Sequence, residues 1–85
     1  MRLLETPKFG KNRSKLKEEH EREALRAAVR AVAEDPAAGK KLKEEFRDLR
    51  SFRYSARGQA RRLIYKAEED AVVLFSFGPR QGIYR

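Results

Sequence analysis

From Leu49 to Tyr65 the chain reads LRSFRYSARGQARRLIY, and no other stretch restricts its fold as tightly. Apolar and polar residues alternate with a period of two, the spacing of a strand with one buried and one solvated face. Phe52, Tyr54 and Ala56 fall on one side, and Ser51, Arg53, Ser55 and Arg57 on the other. After the turn signal Arg57-Gly58-Gln59 the alternation resumes. Leu63 and Tyr65 share one side there, and Arg62, Ile64 and Lys66 share the opposite one. The stretch therefore predicts a β-hairpin with a dry face and a cationic face. It holds five arginines and no acid. A cationic face without local carboxylates fits a polyanionic partner, and RNA is the first candidate.

The rest of the chain predicts the layers around this hairpin. Met1–Thr6 suits a short first strand that ends before Pro7, with Phe9 and Gly10 in a connection. Residues 12–35 are helical in pattern, because Leu25, Ala28, Val29, Val32 and Ala33 form one apolar stripe. Arg22, Arg26 and Arg30 repeat on another, solvated face, and Glu18 stands four residues before Arg22, the favourable order for a helix ion pair. The run Lys15–Glu23 is almost all charge, so the region is either one helix or two with a break near His20. Pro36 and Gly39 stop it. Lys40–Asp48 reads as a connector anchored by Leu42 and Phe46. Ala71–Phe77 is a run of β formers suited to a central strand, closed by Gly78-Pro79. The expected fold is α+β, with the first strand and a helical hairpin packed on one face of a mainly antiparallel sheet.

Eighty-five residues predict one domain, residues 1–85, with a thin core. The net charge of +8 is unevenly distributed. Residues 1–45 hold 12 bases and 9 acids, whereas residues 46–85 hold 9 bases and only 4 acids. Cysteine is absent, which excludes disulfide staples and thiolate chemistry and fits a cytoplasmic protein. No apolar run is long enough to cross a bilayer, so no membrane partner is expected. Glu68, Glu69 and Asp70 read as a turn rather than a metal site, and neither metal nor cofactor is expected.

The order of pieces resembles the RelE/ParE superfamily of type II toxins. The resemblance rests on the basic strand after Leu49, the Arg62-Leu63-Ile64-Tyr65 strand, and the closing Gly78, Arg80 and Tyr84. The segment Ala33-Glu34-Asp35-Pro36 through Gly39-Lys40-Lys41-Leu42 fits the same family's helix-to-strand connection. In RelE-type members the functional groups are basic residues on the first hairpin strand, an arginine on the next, and an arginine and tyrosine near the end. The resemblance thus implies catalytic roles for Arg53, Arg62, Arg80 and Tyr84. The second basic position of the first strand is Ser55 here, a departure for which Arg57 could compensate. Arg50, Arg57, Arg61 and Lys66 complete the expected RNA-binding set, with Lys66 roughly 13 Å along the strand from Arg62.

What the resemblance implies chemically is ribosome-dependent cleavage of mRNA, in which the RNA's own 2′-hydroxyl attacks the neighbouring phosphate. The protein then aligns the attack and stabilises charge on the phosphate, work suited to guanidinium forks. Tyr84 would transfer a proton or stack on a base, and the only histidine, His20, lies in the helical stretch. The implied partners are mRNA on the ribosome and an antitoxin with an acidic extended segment, in a complex of possible higher order. Two alternatives stand beside this reading: a ParE-type toxin directed at DNA gyrase, and a non-catalytic RNA-binding homologue. The bland reading of Arg53 and Arg62 is the wet face of a half-buried sheet.

Overall fold

A computed structural model describes residues 2–79. Strand β1 (Arg2–Glu5) leads into helices α1 (Pro7–Ser14) and α2 (Glu19–Glu34). A two-residue strand β2 (Lys40–Lys41), a 3₁₀ turn at Glu44–Phe46, and the long strands β3 (Arg50–Ala56), β4 (Gln59–Ala67) and β5 (Ala71–Pro79) follow. The sheet order is β1-β5-β4-β3-β2. Only β1 runs parallel to its neighbour, β5. The expected α+β architecture is present, with both helices on one face of the sheet. Arg80 and Tyr84, two of the expected catalytic residues, lie outside the described residues.

The charged stretch resolves into a break between two helices. Residues 15–18 leave the helix because they supply no apolar stripe, and Glu18 becomes the N-cap of α2. Its Oε1 accepts the Glu21 N–H at 2.9 Å, so it caps instead of pairing with Arg22. Leu25, Ala28 and Val32 then face the sheet and are buried. They meet Leu63 and Tyr65 of β4 and Val72 and Leu74 of β5.

Phe9 and Gly10 belong to α1, not to a connection. Pro7 occupies the first turn, where its missing N–H costs nothing. The Thr6 hydroxyl accepts the Phe9 N–H at 3.2 Å and donates to the Phe75 carbonyl at 3.3 Å. One side chain thereby starts the helix and fastens it to β5. Phe9 is fully buried, edge-on to Phe77 with ring centroids 5.2 Å apart. The Lys40–Asp48 connector likewise contains β2, an edge strand antiparallel to β3.

The β3–β4 turn has only Arg57 and Gly58 between the paired residues Ala56 and Gln59. Both central residues are left-handed, at φ 54° and 78°, the geometry whose twist matches a two-residue hairpin. At the other end of β4, Tyr65 anchors the loop after α2. Its hydroxyl donates to the Pro36 carbonyl at 2.7 Å and accepts the Gly39 N–H at 2.8 Å. A Cβ on Gly39 would lie 2.7 Å from that ring, so no larger residue fits without displacement.

Tyr54 packs its ring against the core. Burial, reinforced by the charge of Glu21, pushes its phenol up to about 12. An unfolded tyrosine ionises near pH 10, roughly. Between these values the folded chain holds a proton that the unfolded chain has released, so stability falls as pH rises. Denaturant titrations from pH 9 to 12 are expected to show this decline, and Tyr54→Phe to make it shallower. An unchanged slope in the variant would contradict the assignment.

Candidate nucleic-acid interface

The helix-covered face and the open face of the sheet separate the basic residues into two groups. Strand register settles the open face. Arg53 of β3 stands directly opposite Arg62 of β4, and Arg62 stands opposite Gly78 of β5. The next row is Ser51, Ile64 and Ser76, all buried. Arg62 is half-buried, and its Nη1 donates to the Ser51 hydroxyl at 3.2 Å. Arg53 is exposed and has no hydrogen-bond or ion-pair partner among the described residues. Gly78, which is buried, carries no side chain opposite Arg62.

Two like charges directly opposite each other destabilise a sheet. Neither arginine forms an ion pair with a carboxylate among the described residues. A guanidinium pair in this state suits an anion that both can grip from one side, and phosphate oxygens match the geometry of such forks.

The other expected binding residues go elsewhere. Arg50 opposes Tyr65 on the helix side, and its Nη1 donates to the Gly39 carbonyl at 2.7 Å and the Ala37 carbonyl at 3.4 Å. Arg61 opposes Tyr54, also on the helix side, and bonds through Nη2 to Glu21 Oε2 at 2.9 Å. That hydrogen bond raises the arginine further above its already high ordinary value. Arg57 sits in the left-handed turn and reaches Glu18 at 3.2 Å, so it does not replace the cation missing at Ser55. The Glu18 carboxyl is held below its usual range, first by a hydrogen bond from His20 and then by the Glu21 N–H. Lys66 shares the open face but pairs with Glu68 at 3.4 Å. Among the described residues no carboxylate pairs with Arg53 or Arg62, whereas the expectation of unneutralised charge fails for Arg57 and Arg61, whose carboxylate partners come from the start of α2.

Sequence reasoning also passed over a cation on this face. Lys40 pairs with Ser51 across β2 and β3, which puts it on the open face. It is exposed and has no ion-pair partner among the described residues. Its placement depends on a two-residue strand, too short to show a period. Among the described residues no three His, Asp or Glu side chains gather as metal ligands, and no helix is long and apolar enough to cross a membrane.

A separate groove of about 780 Å³ runs between β1 and the helices. Leu3, Leu16 and Val29 line it, and Arg13, Lys17 and Arg22 add positive charge. Leu3 remains 47% exposed there.

A helical pair on one side of a five-stranded sheet, with an arginine pair on the other that meets no acid among the described residues, defines a small α+β protein of the RelE/ParE toxin type. The family model for ParE-like toxins of type II bacterial toxin–antitoxin systems matches residues 3–85, and the chain belongs to that family. No similar sequence was found among curated proteins. As a type II toxin it has an antitoxin protein as its implied partner.

Proposed function

We propose that this toxin is a ribosome-dependent endoribonuclease whose open sheet face grips the mRNA backbone. The observation that carries the reading is the opposed Arg53–Arg62 pair, Arg53 exposed and Arg62 half-buried, with no carboxylate paired to either among the described residues. Arg62, held by Ser51, is preorganised to stabilise charge on the phosphate under attack. Arg53, with no partner among the described residues, captures and aligns the backbone. Arg80 and Tyr84 would complete the set from the segment after Gly78. The RNA supplies the nucleophile, and the ribosome holds it in a reactive geometry.

A gyrase-directed reading stands second. The family's ParE-like description favours it, and so does the fact that among the described residues no histidine or carboxylate bonds to either arginine of the pair. Induced expression separates the two. The first reading expects translation arrest with mRNA cut inside codons. Trapped double-strand breaks and a DNA-damage response, with mRNA intact, would overturn it.

The antitoxin would bring an acidic segment to a domain of charge +8, where complementarity speeds encounter and fixes register. The groove between β1 and the helices offers apolar contact with a basic rim to such a segment.

A further inference from the structure

We infer that Lys40 extends the arginine pair into a track along a single-stranded RNA backbone, with Lys40 contacting the phosphate next to the one that Arg53 and Arg62 grip. This rests on the RNA reading of the open face. Lys40 opposes Ser51, and Arg53 lies two residues further along the same strand. Diagonal neighbours of this kind stand about 7–8 Å apart, within reach of long side chains. Arg53 and Arg62, directly opposed, stand closer, at about 4.5–5.5 Å between their Cβ atoms. The three cations therefore divide into a tight pair and an outlier offset along the strand.

On the open face, charge accounting leaves the same three. Arg57, Arg61 and Lys66 are each paired with a glutamate, and Arg50 is bonded to carbonyls. Lys40, Arg53 and Arg62 form no ion pair among the described residues, and they are contiguous on one face. The side chains between and beside them are Ser51 and Ile64, both already buried, and the small Ser55 and Ala60, both exposed. A peptide partner would gain little apolar burial from such a floor. A phosphodiester backbone needs only the charge and the donors. Lysine, a compact and flexible point charge, suits the outer position, where no fork geometry is imposed.

Salt dependence of binding tests this on the full chain free of antitoxin. The probe is a fluorescein-labelled single-stranded oligoribonucleotide, 2′-O-methylated so that it stays intact. Each phosphate contact on a single strand contributes about 0.7 to the slope of log K against log salt. Lys40→Gln is expected to lower the slope by about 0.7, as Arg62→Gln does, while Arg30→Gln on the outer side of α2 leaves it unchanged. Lys40 is exposed, so the variant should keep the wild-type melting temperature, which circular dichroism checks. A wild-type slope for Lys40→Gln, with a reduced one for Arg62→Gln, overturns the track and leaves the RNA reading intact. Wild-type slopes for Arg53→Gln and Arg62→Gln as well overturn both. A Lys40→Gln loss confined to polyglutamate binding assigns this edge to an acidic polypeptide and also overturns the track.

Discussion

Arg62→Ala is expected to reduce mRNA cleavage by about 10²–10³-fold, the cost of removing one preorganised donor from a developing oxyanion. The same variant should melt no lower than the wild type. Arg62 gives up one hydrogen bond to Ser51, but its loss also relieves repulsion from Arg53 across the strand pair. Activity and stability are thus expected to move independently, which a purely structural arginine would not allow. Arg62→Lys keeps the charge and loses the fork, so it should recover only part of the rate. Cleavage at the wild-type rate in Arg62→Ala, measured on translating ribosomes, would remove the open face from the reaction.

Phe9→Ala is expected to destabilise the fold by about 3–5 kcal/mol, the usual range for truncating a buried phenylalanine. Phe9 has no exposed surface, and it ties α1 to β5 through Phe77. A chain of this size has a total stability of roughly 4–13 kcal/mol at 0.05–0.15 kcal/mol per residue. The loss therefore takes a large share of the margin. Urea unfolding should show the midpoint fall with little change in slope. Toxicity in cells should weaken in parallel, through abundance rather than chemistry. An unfolding free energy within about 1 kcal/mol of wild type would mean that α1 contributes little to the fold.

The three long strands were legible because their pattern is local. Parity in Phe52, Tyr54, Leu63 and Tyr65 was enough to choose the buried face, and Gly58 marked the turn. The same parity could have withdrawn two candidates, since Arg50 counts with Phe52 and Arg61 with Leu63. Net charge along the stretch obscured that signal. The partner of Arg61 was not legible, because Glu21 lies 40 residues away on α2. Arg57 followed the strand alternation in sequence and left it in space, because a left-handed turn residue no longer obeys the pleat. Phe9 was misplaced for a different reason. Gly10 beside it reads as a loop signal and Pro7 as the stop of the first strand, whereas Pro7 and the Thr6 cap start the helix. The edge position of Lys40 needed the sheet register itself, a long-range property.

The parallel pairing of β1 with β5 sets an order of events during synthesis. Thr6 and Phe75, joined by a hydrogen bond, are separated by 69 residues. Contacts that close so long a loop are slow to form, since chain entropy is lost before any attraction is gained. While the ribosome is still adding β3 and β4, the first strand has no neighbour to dock against, and Leu3, Leu4 and Phe9 stay wet. Until β5 is made, the nascent chain thus carries a greasy, uncovered strand, an interval in which a chaperone or a waiting binding protein has access that the finished molecule partly withdraws.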